Sequence, residues 1–582
     1  MAELSEHTPS APAHLAPSAP RERRSRAIGA LLARMPAWAI TAAFAIPYLA
    51  FAPASPDLAA ASYRSDLFSR VGFTIWDNSW YGGHHLPAYS ILAPALGSLI
   101  GPQPLAALSM ILATALFARL IDGCFPARAV RIASVWIALG ASVSLLSSRV
   151  PFDLGLAVGL AALLAARRRR PWTALALSVL CALASPVAGA FLGLAFLAWA
   201  ISAGARPACR WAAALTLASL APIALLALAF PEGGTQPFVA SAFFPDLAAV
   251  LAIGLLIEGE RPAFARGRAF RAACASDGQG EAVGGLRLLR LGAALYAMAL
   301  IGSYLVPSAV GGNADRLGAL MGGPLAACAL ACASRGRRRT LLVLAPALLY
   351  WQANAPLVDA TAAAGDPAVH ASYYTPLLGE LRALGVGYAA RPARIEVVAT
   401  ADHWEARWLA PHVMLARGWE RQLDTSRNGL FYEGGKPLTA ARYRAWLAAN
   451  AISYVALPDA PLDYSAKAEA RLVRAGAGGA LREVWRSAHW RLFAVRAPTP
   501  LAQAPALVTA ASSDTLGVRV PRPGSYLVRV RFTPYWALAV GSGCVSRGAG
   551  EWTELEARRA GSYRLAIAFS PARVFEQGPR CR

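Results

Sequence analysis

The chain has 582 residues, of which 56% are hydrophobic and only 15% are charged. Soluble domains average about 45–50% apolar and about 25% charged residues, so this composition excludes an ordinary soluble protein, and eight cysteines are too few for a disulfide scaffold. The formal net charge of +23 comes mainly from arginine, which stands in short clusters between apolar segments rather than on a basic module with base-stacking aromatic residues. The sequence therefore predicts a multi-pass membrane protein that does not bind nucleic acid.

The beginning of the chain combines a polar tail with an apolar run. Residues 1–36 are rich in proline, serine and arginine, which predicts a disordered cytoplasmic tail. The following run, residues 37–54, has the apolar character of either a signal-peptide core or a first membrane span. An uncleaved span is the better interpretation, because the polar segment before the run is long and many more apolar runs follow it.

Ten further apolar runs follow, and clusters of arginine separate them. The runs lie near residues 103–121, 131–148, 152–166, 171–186, 187–203, 211–230, 244–258, 290–307, 317–333 and 340–356. The clusters comprise Arg128 with Arg131, Arg167 to Arg170, Arg206 with Arg210, Arg261 to Arg290, and Arg335 to Arg339. Each cluster falls after an even number of spans, in agreement with the preference of arginine for the cytoplasmic side. We therefore predict a polytopic α-helical membrane protein of about eleven spans, with the N-terminus inside and the C-terminus outside.

A large first outside loop, residues 54–102, belongs to the predicted transmembrane domain, residues 37–356. The loop has its own apolar stretch, residues 86–100, which Pro87, Pro94 and Gly97 interrupt. This stretch is too short and too broken to cross a hydrocarbon layer about 30 Å thick. We therefore predict an interfacial or re-entrant helix at this point.

The last part of the chain, residues 357–582, loses the apolar runs and is predicted to be extracytoplasmic. Residues 357–499 alternate between helix-like and strand-like stretches, which indicates an α/β lobe. From residue 500 to 582, short strands and turns predict a β-sandwich.

Cys544 and Cys581 are the only cysteines in this region, and an oxidising compartment favours a disulfide between them. The strand-like stretches of the lobe are residues 395–398, 453–457 and 490–495, its clearest helix is 438–449, and two Gly-Ser-Tyr sequences at 524–526 and 561–563 begin equivalent strands of the sandwich.

The first outside loop holds the densest set of reactive and aromatic side chains. Asp66 and Asp77 are candidate catalytic residues, because a carboxylate at the membrane edge can take a proton from an acceptor hydroxyl or help to hold a divalent metal. Arg64 could bind a lipid phosphate, and the adjacent His84 and His85 could contact substrate or a metal. The alternative is an ordinary interfacial loop, in which tryptophan and tyrosine lie at headgroup level and the two histidines only cap polar groups.

Other polar residues lie at the predicted outer ends of the spans. Arg149 is a candidate substrate-binding residue, although it could simply pair with Asp153 across a tight turn. Arg316 could contact a lipid phosphate, the alternative being a helix cap with an arginine that extends toward the headgroups. Residues 403–405 and 417–424 could line an acceptor groove above the membrane, or they could form a satisfied polar core.

Several motifs with a defined chemistry are absent from the sequence. We find no Walker-type phosphate loop, no Gly-x-Ser-x-Gly, no His-Glu-x-x-His and no Cys-x-x-Cys. Charged residues are nearly missing from the middle of the predicted spans, where transporters and proton pumps normally place some. The sequence therefore disfavours a transporter of lipid or polymer.

This layout, with an acidic first loop and an outside C-terminal region, resembles the GT-C superfamily of membrane glycosyltransferases, which includes protein O-mannosyltransferase-like enzymes and mycobacterial-type arabinosyltransferases. The resemblance implies a polyprenyl-phosphate sugar donor and a catalytic acid in the first outside loop, where Asp66 matches and Asp77 is a second candidate. The loop has no adjacent acidic pair and no Asp-x-Asp, so the cofactor is either a divalent metal or none. Residues 80–85, Trp-Tyr-Gly-Gly-His-His, and residues 373–378, Tyr-Tyr-Thr-Pro-Leu-Leu, also resemble a group of large actinobacterial membrane proteins.

Two functions from different classes fit these features. The first is an inverting glycosyltransferase at the outer face of the cytoplasmic membrane, with Asp66 as the general base and Asp77 or His84 assisting the phosphate or a metal. In this hypothesis Arg64 or Arg316 holds the lipid phosphate, and the partners are membrane lipids, a lipid-linked sugar and a cell-envelope glycan acceptor. The second is a non-catalytic envelope-assembly scaffold that binds lipid-linked polymer, in which the loop carboxylates are structural.

Overall fold

The computed structural model describes residues 35–204, 207–256, 285–331, 335–433 and 436–582. The tail up to residue 34, Arg206 and most of the cluster from Arg261 to Arg290 lie outside these ranges. A helical part occupies the described chain up to residue 363, and a strand-rich part follows it.

The helical part consists mainly of apolar helices, which we number in chain order. Several begin with proline, which has no backbone N–H to leave unpaired in the first turn. The helices are α1 (Ala37–Phe51), α2 (Pro56–Val71), α3 (Leu92–Ile100), α4 (Pro102–Ile121), α5 (Ala127–Ser144), α6 (Val150–Arg167), α7 (Pro171–Ala184), α8 (Pro186–Ala203), α9 (Pro207–Ala229), α10 (Ala240–Leu256), α11 (Gly285–Leu305), α12 (Asp315–Ala331) and α13 (Arg335–Ala363).

Each predicted span overlaps one of these helices, but the number of eleven spans is not confirmed. In the described ranges, seven helices are long and apolar enough to cross a membrane, namely α4, α5, α6, α8, α9, α11 and α13. The count rises to eight if α1 and α2, which meet at an angle of 76°, form one broken span. The 14 residues of α7 reach about 21 Å at a rise of about 1.5 Å per residue, which is less than a hydrocarbon core of about 30 Å.

Small and hydroxyl-bearing residues join the helices of this bundle. Gly155 of α6 faces α8 so closely that a Cβ at this position would lie 2.7 Å from the Ala188 Cβ. The hydroxyl groups of Thr41 in α1 and Thr114 in α4 are 3.0 Å apart inside the bundle. Close packing and buried hydrogen bonds of this kind replace the hydrophobic effect, which does not drive helices together in lipid.

The first loop contains a helix that the sequence analysis did not predict. This helix, α2, begins at Pro56 with Asp57 in its first turn, and both residue types favour a helix N-terminus. It buries an apolar face that includes Leu58, Tyr63 and Leu67 in one cluster with residues of the strand-rich part. The helix therefore lies between the bundle and the strand-rich part.

A short hairpin and α3 complete the first loop. The hairpin pairs β1 (Trp76–Asp77) antiparallel with β2 (His84–His85), and both strands are fully buried. The apolar stretch predicted to be interfacial or re-entrant, residues 86–100, is helical only in its second half, as α3.

The strand-rich part begins with a five-stranded mixed sheet and its helices. Its elements are α14 (Ala371–Ala383), β3 (Arg394–Val397), β4 (Met414–Leu415), α15 (Arg421–Arg427), α16 (Ala440–Ala449), β5 (Ile452–Pro458), α17 (Lys467–Arg474), β6 (Leu481–Arg486) and β7 (Trp490–Val495). The sheet has the order β4-β3-β5-β7-β6, in which β4, β3 and β5 are parallel and β7 and β6 add antiparallel.

The three predicted strand-like stretches and the predicted helix at 438–449 overlap β3, β5, β7 and α16, and their ends differ by at most two residues. Helix α13 continues to Ala363, beyond the boundary at residue 356 drawn from the sequence.

Two four-stranded sheets form the end of the chain, with the orders β10-β13-β12-β15 and β11-β14-β9-β8. Buried side chains of both sheets, among them Val518, Val528 and Leu555, belong to one apolar cluster, so the sheets pack face to face. The strands are β8 (Leu507–Ala511), β9 (Thr515–Val520), β10 (Gly524–Arg531), β11 (Trp536–Val540), β12 (Gly543–Arg547), β13 (Trp552–Ala557), β14 (Gly561–Ile567) and β15 (Arg580–Cys581).

The two Gly-Ser-Tyr sequences begin β10 and β14 in the same way. The hydroxyl of Tyr526 donates to the Arg522 carbonyl, and that of Tyr563 donates to the Arg559 carbonyl, each over 2.7 Å. Each tyrosine thus closes the turn four residues before it. On the neighbouring strands, Cys544 of β12 pairs with Cys581 of β15, and their sulfur atoms form a disulfide.

Candidate functional site

Charged residues converge at the end of the bundle that faces the strand-rich part. Three of the carboxylates lie in the first turns of helices α2, α6 and α12, where the positive end of the helix dipole stabilises negative charge. The charges of four carboxylates all act on a single guanidinium, that of Arg149, which precedes α6. We call this set the charged cluster; it consists of Asp57, Arg149, Asp153, Asp315, Arg316 and Asp359.

Arg149 joins three elements of the fold. Its Nε lies 3.5 Å from Asp57 Oδ2 at the start of α2, and its Nη2 lies 3.9 Å from Asp359 Oδ2 near the end of α13. The same Asp359 oxygen accepts a hydrogen bond of 2.5 Å from the Ser147 hydroxyl. Arg149 therefore pairs with carboxylates of two other helices rather than with its neighbour Asp153, whose carboxyl oxygens accept no hydrogen bond from a described residue.

Arg316 is the second guanidinium of the cluster. Its guanidinium is 5.6 Å from the centre of the Phe152 ring and interacts with the charges of Asp57 and Asp315 and with Tyr89. Asp153 is fully buried, and both of its carboxyl oxygens lack a hydrogen-bond partner among the described residues. Such a group is costly to leave ionised without a partner, and the nearby charges of Arg149 and Arg316 favour its ionised form.

Electrostatic interactions set the protonation states at the edge of the cluster. Burial alone would lower the pKa of Arg149, but the carboxylates of Asp57 and Asp359 raise it above its ordinary value, so the guanidinium stays charged. Burial and the Asp57 carboxylate raise the pKa of Tyr89 to about 12, and its hydroxyl therefore remains a donor. Asp57 itself is 32% exposed and can be reached from solvent.

The two carboxylates selected from the sequence lie outside the charged cluster. Asp77 has no exposed surface, and its carboxylate accepts hydrogen bonds of 2.9 Å from the Tyr63 hydroxyl and from the Ser79 backbone N–H. Burial raises the pKa of Asp77 above its usual range. Asp66 is more accessible, on α2, and forms an ion pair with Arg407 of the strand-rich part.

Arg64 connects the first loop to the charged cluster. It is buried, its Nη2 donates to Glu420 over 2.5 Å, and its guanidinium lies 3.9 Å from the centre of the Tyr89 ring. Tyr89 in turn interacts with Asp57 and Arg316. Arg64 is therefore one residue removed from the cluster rather than part of it.

Both histidines of the hairpin are buried. His84 stacks on Trp80 with a centroid distance of 5.5 Å, and burial lowers its pKa to about 3, so the ring is neutral near pH 7. His85 is held from two sides, since its Nδ1 lies 2.8 Å from Glu232 Oε1 and its Nε2 lies 2.9 Å from the Thr533 hydroxyl. Both rings pack the hairpin between the bundle and the strand-rich part.

The structure brings together only part of the predicted site. Arg149 and Arg316 meet in the charged cluster, and Arg64 is linked to it through Tyr89, whereas Asp66, Asp77, His84 and His85 lie elsewhere. The sequence analysis missed Asp57, Tyr89, Asp315 and Asp359 as site residues. The Ser-Pro-Asp sequence at residues 55–57 was the available signal, because it is typical of a helix start immediately after a span.

The polar segments of the strand-rich part are largely buried. Arg417 donates to Asp424 over 2.6 Å, and His403 stacks on Trp419 and approaches Asp463 Oδ2 to 3.3 Å. This arrangement is that of a polar core rather than of an open groove. In the parts of the chain that the structure describes, no group of three or more His, Cys, Asp or Glu residues is arranged to hold a metal ion.

Comparison with known proteins returns no matching family model and no significant match among curated proteins. Among solved structures, the arabinofuranosyltransferase AftD from Mycobacteria is 14% identical, with a TM-score of 0.41, over 80% of this chain and 42% of that one. The oligosaccharyltransferase AglB from Archaeoglobus fulgidus, in complex with an inhibitory peptide and a dolichol-phosphate, is 12% identical, with a TM-score of 0.40, over 69% of this chain and 65% of that one. Both are GT-C-type membrane glycosyltransferases, the type of protein that the sequence resembles. TM-scores below 0.5 do not establish a shared fold, and the chain spans less than two thirds of either protein.

Proposed function

We propose that the chain is a membrane glycosyltransferase that moves a sugar from a polyprenyl-phosphate donor to a cell-envelope acceptor at the outer face of the cytoplasmic membrane. The observation that carries the proposal is the charged cluster, in which Arg149 and Arg316 lie beside the accessible carboxylate of Asp57 at one end of a bundle of membrane-spanning helices. A phosphate on a lipid would reach such a site from the bilayer, and an acceptor would reach it from water.

The residues of the cluster match the needs of an inverting transfer. Asp57 would take the proton from the acceptor hydroxyl as its oxygen forms a bond to the anomeric carbon of the sugar. The bond from that carbon to the phosphate oxygen breaks, and the polyprenyl phosphate leaves with the electron pair. Arg149 and Arg316 would stabilise the charge that develops on the leaving phosphate.

The balance of charge implies that a proton or a cation accompanies the phosphate. The cluster contains two arginines and four carboxyl groups, so a further anion would be repelled if every carboxyl group were ionised. Protons on buried carboxyl groups or a divalent cation bound with the phosphate would supply the missing positive charge. Activity measured with and without a chelator separates these two cases.

The positions of the arginine clusters in the bundle support the proposal that the charged cluster lies at the outer face of the membrane. Helix α6 begins beside the charged cluster and ends at Arg167, whose guanidinium donates to the carbonyls of Arg119, Leu120 and Asp122. The arginine clusters near these residues therefore lie at the end of the bundle opposite to the charged cluster. If arginine marks the cytoplasmic side, the charged cluster and the strand-rich part lie outside.

Asp57 is better placed than Asp66 to act as the base. The two residues are nine positions apart on α2, which corresponds to about 14 Å along a helix. The Asp66 carboxylate is ion-paired with Arg407, whereas Asp57 adjoins the arginines that would hold the phosphate. Asp66 stays a candidate, and Asp77, without exposed surface, could assist only indirectly.

The test is sugar transfer from a panel of polyprenyl-phosphate sugars by membranes that contain the wild type or one variant. We expect Asp57→Asn to reduce transfer by about 100-fold or more, the usual effect of losing a general base, with unchanged expression and thermal stability. Arg316→Gln should also reduce transfer. Asp122→Asn, an exposed aspartate at the opposite end of the bundle, is the matched control and should be fully active.

Each other result has a defined meaning. If the Asp57→Asn variant is active and the Asp66→Asn variant is inactive, then Asp66 and not Asp57 is the general base. If the folded wild type transfers no sugar from any donor, the glycosyltransferase proposal is wrong, and the scaffold that binds lipid-linked polymer takes its place.

A further inference from the structure

The two C-terminal sheets rest directly on the end of one membrane-spanning helix. The Tyr535 hydroxyl donates to the carbonyl of Ala229, the last residue of α9, over 2.6 Å. The Phe230 ring lies 5.7 Å from the Tyr535 ring and 5.9 Å from the Phe569 ring. Phe230 is part of the apolar cluster of the sheets, so this contact is continuous with their core.

Helix α9 gives the depth of that contact in the bilayer. Its 23 residues extend about 34 Å at a rise of about 1.5 Å per residue, close to the thickness of a hydrocarbon core of about 30 Å. Leu225 and Leu228 in its last two turns are exposed, as side chains that face lipid are expected to be. Ala229 therefore lies near the boundary between the hydrocarbon and the headgroups.

The segment that contains Phe569, which packs on Phe230 at this contact, carries two exposed aromatic residues. Phe569 is 52% exposed and Phe575 is 78% exposed, whereas Tyr535, Trp536 and the other large aromatic rings of the sheets are buried. Large apolar side chains are favoured to leave water, and exposed apolar surface on a protein often marks a site of contact with a membrane or another protein.

Arginine side chains hold this segment in place and give it positive charge. Arg573 Nε donates to the Pro534 carbonyl over 3.1 Å, next to the tyrosine that contacts α9. Arg580 Nη1 donates to the Ala568 carbonyl over 2.8 Å. The segment is therefore tied to the end of the sheets that touches α9, and its arginines suit the phosphate groups of lipid.

We propose that residues 568–576 form a membrane-contact segment, in which Phe569 and Phe575 enter the interfacial layer of the bilayer beside α9. The partner is the phospholipid surface itself. Aromatic and aliphatic side chains with flanking cations are the usual composition of a segment that lies in this layer. The contact holds the C-terminal sheets against the membrane and fixes their height above the charged cluster, whatever reaction that cluster performs.

Photocrosslinking to lipid tests this contact in the full-length protein. Benzoylphenylalanine is introduced at position 569 or 575, the protein is reconstituted in vesicles of phosphatidylethanolamine and phosphatidylglycerol with a tritiated phospholipid, and label on the protein is measured after irradiation. Leu228 on α9 gives a positive control. Leu507 is an exposed control in the same sheets, and it pairs with Arg519 at the end of its sheet remote from Ile567 and Phe569.

We expect lipid adducts at positions 569 and 575 to be several-fold above those at position 507 and to approach those at position 228. Adducts at the level of position 507, or adducts only to another protein chain, would overturn the proposal. Phe569 also packs on Phe230, so its replacement could disturb folding. Position 575 then decides alone, because that side chain is almost wholly outside the core.

Discussion

A pair of buried glutamates shows how single side chains control the strand-rich part. Glu396 of β3 and Glu469 of α17 have no exposed surface, and Arg417 Nη1 lies 3.5 Å from Glu469 Oε2 and 4.0 Å from Glu396 Oε1. The Tyr443 hydroxyl donates to Glu469 over 2.8 Å. Burial raises the pKa of Glu469 to about 7, and burial together with the neighbouring Glu469 raises the pKa of Glu396 well above its usual range. At neutral pH the pair therefore holds at least one proton.

This pair predicts that the protein loses stability as the pH rises. The folded-state pKa of Glu469 is about 7 against an ordinary value of 4.5, so the folded state binds more protons than the unfolded state between these values. The stabilising contribution is complete below about pH 4.5 and decreases as the pH rises to about 7. Thermal denaturation of the detergent-solubilised protein from pH 4.5 to 7.5 should show this decrease. Glu469→Gln should reduce its slope without abolishing it, because burial also keeps the pKa of Glu396 raised.

A second glutamate on the same sheet provides the control. Hydrogen bonds from Arg486 and Arg491 lower the pKa of Glu483 to about 2, so this group is ionised over the whole range. Because the ordinary pKa of glutamate is 4.5, Glu483 is ionised in both the folded and the unfolded state above about pH 5.5, and Glu483→Gln should leave the slope above that pH unchanged. If Glu469→Gln keeps the wild-type slope, the assignment of the bound proton to this pair is wrong.

Among the helices and strands, those predicted best from the sequence have a hydrophobic pattern that is contained in a short stretch of the chain. The strands β3, β5 and β7 and the helix α16 follow alternation and apolar periodicity within a few residues, and they lie where the sequence analysis placed them. Helix α2 was not predicted, because its apolar residues are interspersed with charged ones and pack against a part of the chain that is distant in the sequence. The meeting of Arg149, Arg316 and Asp57 could not be read from the sequence, since it depends on which helix ends pack together across about 260 residues.

The hairpin of the first loop depends on one glycine. Gly83 has a φ of +118°, and a Cβ at this position would lie 2.3 Å from Cζ2 of Trp76. Trp76 and the other hairpin residues are buried in contact with the strand-rich part, so the ring has no free space to enter. Gly83 is therefore required both for its backbone conformation and for the absence of a side chain.

We expect Gly83→Ala to destabilise the protein by about 1–3 kcal/mol, the usual cost of overpacking a filled site, in addition to its backbone strain. The measurement is thermal or denaturant unfolding followed by tryptophan fluorescence. Gly72→Ala is the matched control, because Gly72 has a φ of +73° but no atom within 4 Å of its added Cβ. Equal losses in the two variants would show that backbone strain alone is responsible and that the contact with Trp76 is unimportant.

At the scale of the whole molecule, three polar contacts join the strand-rich part to α2 and to the loop after α9. Glu420 pairs with Arg64 of α2 over 2.5 Å, and the Thr425 hydroxyl donates to the Thr235 carbonyl over 2.7 Å. Arg427 of α15 pairs with Glu232, in the loop after α9, over 2.6 Å. These contacts surround the hairpin of the first loop, so they set the position of the strand-rich part relative to the charged cluster.

A double-mutant cycle can measure how much free energy the contact between Glu232 and Arg427 contributes to folding. Burial alone would raise the pKa of Glu232, but Arg427 and His85 lower it to about 2, so the carboxylate is ionised and paired near pH 7. Removing one partner of a buried pair leaves the other charge unpaired, at a cost of about 3–5 kcal/mol. Replacing both side chains lowers the free energy of unfolding by less than the sum of the losses in the two single variants. A double-mutant cycle with Glu232→Gln and Arg427→Gln should therefore show a coupling energy of about 1–3 kcal/mol.

The pair of Arg442 and Glu433 is the control for this cycle. Their side chains are 36% and 40% exposed, and exposed pairs are worth about 0–1 kcal/mol. Limited proteolysis in nanodiscs adds a second readout, because loss of the Glu232 contact should speed cleavage of the strand-rich part while the helical part stays protected. Additive single losses for Glu232 and Arg427, with unchanged proteolysis, would mean that the other loop contacts hold the two parts together without this pair. The position of the strand-rich part above the charged cluster would then depend on Arg64 and Glu420 and on the contact with α9.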